Sequence, residues 1–252
     1  MDIKRLELYS MDSPTGYEAY KVLRTNIQFN TPGNRIKTIA VIDFAPKSGK
    51  TSVAINLAVS FARNCRKVLL VDADLRKPAY MKRLGGDASI GLTGYICSEY
   101  IMLRDIIFET NIHNLSFIPA GKNTSDSAEL VNSSRFSELM REVRERYDII
   151  LVDTPCLGNV IDGAVIASKT DGSIIVIAPG SVNRHKAKAL KQQLEQADSA
   201  ILGVVLNKAA DYYDKGNSCF NASLYFDTAK DVKKYALKRF GRGSRSRRRE
   251  YD

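Results

Sequence analysis

A short loop that ends in Gly-Lys-Thr stands between an apolar run and a helical pattern, within residues 36–61. The loop reads Ala45-Pro46-Lys47-Ser48-Gly49-Lys50-Thr51. A strand, a tight loop and a helix in this order favour binding of a phosphate chain, because the loop N–H groups and the positive end of the helix macrodipole face the anion. Gly49 allows a close backbone approach, Lys50 reaches the β- and γ-phosphates, and the Thr51 hydroxyl suits Mg²⁺.

The loop departs from the strict phosphate-loop pattern G-x-x-x-x-G-K-[ST], which has glycine where this chain has Phe44. Because a bare Gly-Lys-Thr also arises by chance, the prediction of a nucleotide site depends on the rest of the chain. The residues predicted to bind the nucleotide are Pro46, Lys47, Ser48, Gly49, Lys50, Thr51, Ser52 and, from the end of a later strand, Asn207.

Short apolar runs bounded by turn residues predict the strands of one sheet: Lys37–Ile42, Val68–Val71, Leu115–Ile118, Ile149–Val152, Ile174–Ile177 and Ile201–Leu206. Helical patterns lie between most of them, at Ser52–Arg63, Ser134–Arg146 and His185–Gln196. Continuous β-branched runs suit strands that are covered on both faces. The sequence therefore predicts an α/β fold: a doubly wound, mostly parallel sheet with helices on both faces, of the P-loop NTPase type.

The length of 252 residues and the hydrophobic share of 44% allow one substantial core. We expect an N-terminal helical segment, 1–35, with a helix over Tyr17–Phe29; a nucleotide-binding domain, 36–210; and a loop with a basic tail, 211–252. No apolar run approaches the ~20 residues that span a bilayer, and no signal-peptide core stands at the N-terminus, so we expect a cytoplasmic protein. The cysteines are scattered without a paired-cysteine motif, which argues against a disulfide framework or a cysteine metal site.

Carboxylates stand at the ends of two predicted strands. Asp72 and Asp74 are one residue apart after the second strand, and Asp153 follows the run Ile149–Val152. Residues two apart in extended backbone point the same way, so both members of the first pair are able to face one Mg²⁺–phosphate site. A strand-end acid such as Asp153 holds Mg²⁺ directly or through water, and a helix N-cap is the alternative role for these acids. At another strand end, the Asn207 amide suits the edge of an adenine.

The net charge of +10 is concentrated at the C-terminus, because residues 230–252 hold ten Lys and Arg against three Asp and Glu. This stretch suits contact with anionic lipid, an acidic polymer or nucleic acid, and the alternative is a solvated end that aids solubility. Aromatic residues do not alternate with the basic ones, so no nucleic acid is expected as a partner.

Beyond the loop, four segments and their order resemble those of the bacterial tyrosine kinases. The segments are LLVDADLRKP, YDIILVDTPCLGNVIDGAVIA, DGSIIVIAPG and GVVLNK. These are the autokinases of capsule and exopolysaccharide synthesis, within the MinD/ParA-like branch of P-loop proteins. The resemblance runs from about residue 15 to 210, and LLVDADLRKP is its most specific part. It implies transfer of phosphate from ATP, with Mg²⁺, to tyrosine, and such transfer is catalysed mainly by positioning and charge neutralisation.

The resemblance implies roles for the residues already named. Lys50 would contact the phosphates, and Thr51 and Asp153 would hold Mg²⁺. Asp72 would lie at the metal and accept the tyrosine proton, with Asp74 in support of the metal and phosphate geometry. These four residues, Lys50, Asp72, Asp74 and Asp153, form the predicted catalytic set.

The resemblance also covers the predicted N-terminal helix. Glu18, Lys21 and Arg24 match the family's Glu-x-x-Arg-x-x-Arg oligomerisation element, with lysine in place of the first arginine. Their three-residue spacing puts them on one helical face, and the lysine lacks the bidentate fork of arginine. Family members without a membrane segment are usually paired with a membrane adaptor of the polysaccharide chain-length or co-polymerase type. The resemblance thus implies such an adaptor, a homo-oligomer and a position at the inner face of the cell membrane.

Two departures from the family bear on activity. Lys47 and Ser48 stand where the family usually has glycine and a small or acidic residue. The long cation at position 47 either crowds the backbone approach or adds charge against the β-phosphate. The family's dense tyrosine tail is replaced here by an arginine-rich one, in which Tyr212, Tyr213 and Tyr251 are the best candidates for phosphate acceptors.

An active autokinase is therefore the favoured hypothesis, and a non-kinase ATP-binding switch or scaffold in the same polysaccharide system is the alternative. A MinD/ParA-type partitioning ATPase carries an additional lysine at the start of the loop, where this chain has Ala45. An iron–sulfur carrier of the same branch needs a paired-cysteine motif, which this sequence lacks.

Overall fold

The structure is a computed structural model, and it describes residues 5–6, 8, 14–29, 36–78, 80, 90–157 and 161–209. The strands are β1 (Arg5–Leu6), β2 (Thr38–Asp43), β3 (Val68–Asp72), β4 (Phe108–Thr110), β5 (Leu115–Ile118), β6 (Ile149–Asp153), β7 (Gly172–Ile177) and β8 (Ile201–Leu206). The helices are α1 (Pro14–Phe29), α2 (Lys50–Ala62), α3 (Leu92–Cys97), α4 (Leu103–Ile106), α5 (Ser127–Asn132), α6 (Ser134–Arg146), α7 (Asp162–Ser168) and α8 (Arg184–Gln196).

The strands of the described residues form one sheet in the order β1-β4-β5-β3-β6-β2-β7-β8. The neighbours from β5 to β8 in this order are all parallel. The predicted doubly wound, mostly parallel α/β fold is thus confirmed. Strand β4 runs antiparallel to β5, and it pairs on its other side with the two-residue strand β1. The sequence patterns predicted neither of these two short edge strands.

Alternate residues of the parallel strands contribute side chains to two hydrophobic layers, one on each face of the sheet. On one face, Ile39 packs in a cluster with Leu23 of α1 and Phe61 of α2. On the other face, Leu69 packs in a cluster with Phe136 of α6, and α8 covers the same face beside β2 and β7. Each fully buried side chain of this size contributes about 1.5–3 kcal/mol, so covering both faces stabilises runs with no polar alternation. This explains why the strand sequences read as continuous apolar stretches.

The strand ends differ from the predicted bounds in a way that matters for the site. Strands β2, β3 and β6 each extend to an aspartate, namely Asp43, Asp72 and Asp153. These strands are adjacent in the order β3, β6, β2, and neighbouring strands lie about 4.8 Å apart. The carboxyl edge of the sheet therefore carries a row of three acids.

The longest described helix is α1, with 16 residues. Within the part of the chain that the structure describes, no helix combines the length and the apolar character that crossing a bilayer requires.

Candidate active site

The phosphate loop takes a backbone shape that depends on two residues with positive φ. Lys47 has φ 68° and Gly49 has φ 90°, both in the left-handed region. Helix α2 begins at Lys50, two residues before the predicted start, and the Gly49 carbonyl accepts a hydrogen bond from the Val53 N–H at 3.0 Å. The loop therefore turns directly into the helix, which places it at the helix N-terminus, the end of a helix that favours anions.

A buried hydrogen bond closes the base of the loop. The Ser48 hydroxyl donates to the Asp43 carboxylate at 2.5 Å, and Ser48 is 1% exposed. The same hydroxyl oxygen accepts from the Lys50 N–H at 3.2 Å. Phe44, which stands in place of the usual glycine, packs against the core cluster beneath β2. The loop thus closes through Asp43 and Ser48, without a glycine at position 44.

Residues after β8 hold the loop from the opposite side. The Asn207 amide donates to the Ser48 carbonyl at 2.9 Å, and the Lys208 ammonium donates to the Lys47 carbonyl at 2.6 Å. These bonds occupy the carbonyls of two loop residues. Contact between Asn207 and adenine stays a prediction. A Cβ at Gly49 would lie 2.2 Å from Asn207 Nδ2, so only glycine fits there.

The predicted cation-binding residues come together beneath the loop. The Lys50 ammonium forms a buried ion pair with the Asp153 carboxylate. The Thr51 hydroxyl donates to the other oxygen of the same carboxylate at 2.8 Å. Lys50 is 7% exposed and Asp153 is 1% exposed. Since Lys50 and Thr51 open helix α2 and Asp153 ends β6, the adjacent positions of helix and strand bring these three residues together.

Asp72 is the register partner of Asp153 on the neighbouring strand. Its Oδ1 accepts a hydrogen bond from the Asp74 N–H at 3.1 Å, while its Oδ2 is buried without a hydrogen-bond partner. Asp74 is half-buried, and its carboxylate accepts from the Lys77 N–H at 2.9 Å. The structure therefore places both predicted acids at the carboxyl edge beside Asp153, with one carboxylate oxygen open to a further ligand.

Burial dominates the ionisation of these acids. Burial raises the pKa of Asp72 well above its ordinary value, and the neighbouring Asp153 charge adds to the rise. Burial likewise raises the pKa of Asp43, against the opposing pull of Lys50. Burial favours the neutral amine of Lys50, but the carboxylates of Asp153 and Asp43 outweigh it and raise the pKa of Lys50. The site is therefore a cluster of acids around one ammonium, and burial opposes the negative charge of Asp72 in the ligand-free chain.

The residues present fit a magnesium ion. Thr51 and Asp153 present a hydroxyl and a carboxylate 2.8 Å apart, and Asp72 adds its unpartnered carboxylate oxygen. Such hard oxygen ligands, in small number, suit Mg²⁺, which usually takes one or two protein carboxylates and completes its shell with waters and phosphates. Among the described residues, no group of three or more His, Cys, Asp or Glu makes a self-contained metal site.

Helix α1 carries the residues predicted for oligomerisation, and they have different surroundings. Lys21 and Glu18 form an exposed ion pair at 2.6 Å, and the Lys21 ammonium also lies 4.4 Å from the centre of the Tyr17 ring. Arg24 instead donates to the Ser60 carbonyl on α2 at 2.6 Å. Its guanidinium therefore ties α1 to α2 within the chain. The oligomerisation role of all three stays a prediction.

The remaining predicted residues are exposed near the loop or lie outside the described part of the chain. In the loop, Pro46, Lys47 and Ser52 are exposed at the mouth of the site. The predicted acceptors Tyr212, Tyr213 and Tyr251 lie outside the described residues, as does the basic tail. Sequence reasoning missed Asp43 and Lys208. The signal for Asp43 was present, because it is an acid that directly follows the apolar run Ile39–Ile42.

Residues 36–208 match the model of the AAA domain family. Tyrosine-protein kinase CpsD of Streptococcus agalactiae is 36% identical to this chain over 205 residues, which cover 79% of this chain and 88% of that protein. The chain belongs to the bacterial tyrosine-protein kinases. The membership predicted from the LLVDADLRKP segment and its companions is confirmed.

Solved structures agree with this kinase family. The kinase domain of the Escherichia coli tyrosine kinase ETK superposes with a TM-score of 0.70 at 29% identity, covering 80% of each chain. The septum site-determining protein MinD of Pyrococcus horikoshii, solved as its Mg-ADP complex, superposes with a TM-score of 0.60 at 25% identity, covering 79% of this chain and 76% of that one. The kinase fold of this chain is thus that of MinD-like P-loop ATPases, as predicted.

Proposed function

We propose that this chain is an ATP-dependent protein-tyrosine autokinase that regulates capsular or exopolysaccharide synthesis and export. The observation that carries the proposal is the buried cluster of Lys50, Thr51 and Asp153, with the unpartnered Asp72 carboxylate beside it. A phosphate loop, two hard oxygen ligands and a separate carboxylate are the parts that phosphoryl transfer needs.

The loop binds the phosphates of ATP in this proposal. Asn207 and Lys208 support this role, because they engage the carbonyls of Ser48 and Lys47, which would otherwise repel the phosphates. Lys50 then moves its ammonium from Asp153 to the β- and γ-phosphates. The exposed Lys47 side chain adds positive charge at the mouth of the site rather than crowding the backbone approach.

Thr51, Asp153 and Asp72 would hold Mg²⁺, which neutralises phosphate charge when it is bound. Asp72 also accepts the proton of the tyrosine hydroxyl. The carboxylate oxygen of Asp72 that has no hydrogen-bond partner is the atom that would take this proton. Asp74 holds the turn after β3 through its bond from the Lys77 N–H, which keeps Asp72 directed at the site.

The acceptors in the proposal are Tyr212, Tyr213 and Tyr251 of further copies of the chain, assembled through Glu18 and its neighbours on α1. A membrane adaptor of the chain-length or co-polymerase type activates the kinase and holds it at the inner face of the cell membrane. The basic residues of 230–252 assist by contact with anionic lipid, since each basic residue near such a surface contributes about 1 kcal/mol.

The test is incubation of the purified full chain with Mg-ATP, with and without the cytoplasmic tail of a candidate adaptor, followed by phosphotyrosine mass spectrometry. Lys50→Met should abolish phosphorylation because the phosphates lose their cation. Asp72→Asn should slow it by about a hundredfold or more, the usual effect of losing a general base. Asp148→Asn is the matched control, because Asp148 is an exposed acid at the opposite end of β6 that bonds the Lys67 N–H.

The acceptor sites have their own control. Tyr→Phe changes at positions 212, 213 and 251 together should remove the phosphotyrosine, whereas Tyr100→Phe should not, although Tyr100 is 94% exposed. Absence of phosphotyrosine under every condition, with ATP binding retained, would contradict the kinase proposal. That result would favour an ATP-binding switch or scaffold in the same polysaccharide system.

A further inference from the structure

The residues that follow β3 form a short connection across the carboxyl edge of the sheet. This connection, residues 72–78, contains Asp72 and Asp74 and is named the acidic segment. At its start, the Ala73 N–H donates to the Asp153 carbonyl at 2.9 Å, and the Asp74 N–H donates to the Asp72 carboxylate at 3.1 Å. These bonds fix the first residues of the segment to the end of β6.

An ion pair fixes the far end of the acidic segment. Arg76 Nε donates to Asp162 Oδ2 at 2.7 Å, and a second guanidinium nitrogen donates to Asp162 Oδ1 at 3.3 Å. The Ser127 hydroxyl at the start of α5 donates to the same carboxylate. The Asp162 side chain is 1% exposed and that of Arg76 is 32% exposed. A forked pair of this kind ties the acidic segment to the first residue of α7.

We propose that Arg76 and Asp162 are positioning residues for phosphoryl transfer, because their ion pair holds the acidic segment so that Asp72 and Asp74 face the nucleotide site. The inference rests on the proposed function, which assigns the transfer step to these two acids. Neither Arg76 nor Asp162 touches the reacting groups.

The physical properties of the pair support positioning over stability. A buried ion pair contributes little net stability, since loss of water by both charges offsets their attraction. Two N–H···O bonds from one planar guanidinium, by contrast, fix both distance and direction. A lysine at position 76 would keep the charge but lose the fork. The structure therefore uses Arg76 where direction matters, four residues after Asp72.

A second Arg–Asp pair offers a matched control. Arg144 of α6 donates to both oxygens of Asp171, at 2.6 and 2.7 Å. Asp171 precedes β7, at the amino edge of the sheet, away from the nucleotide site. The Asp171 carboxylate also accepts hydrogen bonds from the N–H groups of Lys37 and Thr38, so Asp171→Asn should lower stability as well. It thus controls for a loss of stability away from the nucleotide site.

The experiment uses the full chain and the variants Arg76→Lys, Asp162→Asn, their double variant and Asp171→Asn. Three quantities are measured: the free energy of unfolding in urea, the Kd of a fluorescent ADP analogue with and without Mg²⁺, and the rate of phosphate transfer from Mg-ATP to tyrosine or to water. The Kd without Mg²⁺ reports on the loop, and the gain in affinity with Mg²⁺ reports on the placement of the acids.

We expect Arg76→Lys and Asp162→Asn each to slow transfer by about ten- to hundredfold, the effect of misplacing catalytic groups by about 1 Å. Each should also reduce the Mg²⁺-dependent gain in ADP affinity and leave the Mg²⁺-free Kd unchanged. The double variant should be no slower than the worse single variant, because both changes break one pair. Asp171→Asn should keep the parent transfer rate and the parent Mg²⁺-dependent gain in ADP affinity, even if it lowers stability as much as Asp162→Asn does.

If the transfer rate falls in proportion to the loss of stability in the variants of both pairs, the Arg76–Asp162 pair is structural and the inference is overturned. An unchanged transfer rate in Asp162→Asn would also overturn it. If the parent chain hydrolyses ATP without forming phosphotyrosine, the kinase proposal fails, and the hydrolysis rates still decide the role of the pair. Where no turnover is seen, the Mg²⁺-dependent gain decides it: a loss in Asp162→Asn supports positioning, and no loss refutes it.

Discussion

Replacing Asp72 by asparagine should make the ligand-free protein more stable while it abolishes most of the phosphoryl transfer. Asp72 is fully buried, one of its carboxylate oxygens has no hydrogen-bond partner, and its register partner on β6 is another acid, Asp153. An amide of the same shape removes the like charge and keeps an oxygen for the Asp74 N–H. The Asp72 carboxylate therefore lowers the free energy of unfolding, although the proposed chemistry requires it.

The size of the gain follows from the environment of Asp72. Leaving a buried polar group unsatisfied costs about 1–3 kcal/mol, and more when the group is charged. Asp72→Asn keeps a buried polar group but removes its charge and the repulsion from Asp153, so the free energy of unfolding should rise by about 1–3 kcal/mol at neutral pH. For a chain of this size, that gain corresponds to a rise of about 2–12 °C in Tm.

The gain should depend on pH in a defined direction. Because burial raises the pKa of Asp72 in the folded state above its ordinary value of 3.8, the folded protein binds this proton more tightly than the unfolded chain does. The destabilisation by Asp72 is thus absent below the unfolded pKa and grows as the pH rises through the folded pKa. The advantage of Asp72→Asn should be largest at neutral and alkaline pH and should shrink on acidification toward the ordinary carboxyl range.

Urea unfolding of both proteins across this pH range measures the effect. Asp148→Asn serves as the control, since Asp148 is an exposed acid at the opposite end of β6, and the difference between the two variants reports on the buried position. If Asp72→Asn is less stable than the parent chain at neutral pH, or if its advantage is independent of pH, the argument from a buried, under-satisfied carboxylate is refuted.

Four further changes test the loop and helix α1. Gly49→Ala should abolish nucleotide binding and destabilise the fold, measured by ADP titration and thermal unfolding, because a Cβ there lies 2.2 Å from Asn207 Nδ2. Lys47→Gly should stabilise the chain by about 0.5–1 kcal/mol in urea, because φ is 68° at this position and glycine adopts such values without strain. Arg24→Ala should cost about 1–3 kcal/mol through its lost bond to a carbonyl on α2, whereas Lys21→Ala should cost under about 0.5 kcal/mol because its ion pair is exposed.

Much of the fold was predictable because buried strands and helices have characteristic patterns of apolar residues. The strands from β5 to β8 across the sheet are covered on both faces, so each reads as a continuous apolar run. Helix α6 was predicted over the same residues as observed, Ser134–Arg146, because its apolar residues recur at helical spacing. Strands β1 and β4 escaped prediction because two or three residues carry no periodicity, and their pairing depends on distant parts of the chain.

The site was predictable where chemistry and strand ends coincide. Lys50, Thr51 and Asp153 were identified because a phosphate loop and a strand-end acid have fixed places in this fold. The bond between Asp43 and Ser48 was not, since it depends on the exact turn of the loop. The pair of Arg76 and Asp162 joins residues 86 positions apart, and only the folded chain brings them together.

In the ligand-free chain Lys50 is the counter-ion of the buried Asp153 carboxylate. If nucleotide and metal bind as proposed, they would replace this ion pair together. A phosphate chain that takes Lys50 alone leaves Asp153 as an uncompensated buried charge, and breaking such a pair from one side costs about 3–5 kcal/mol. A divalent cation that takes over Asp153 removes this cost, and by the reciprocity of linked binding each ligand raises the affinity for the other by the same factor. In the proposed site, the nucleotide with its metal would therefore bind more tightly than either ligand alone.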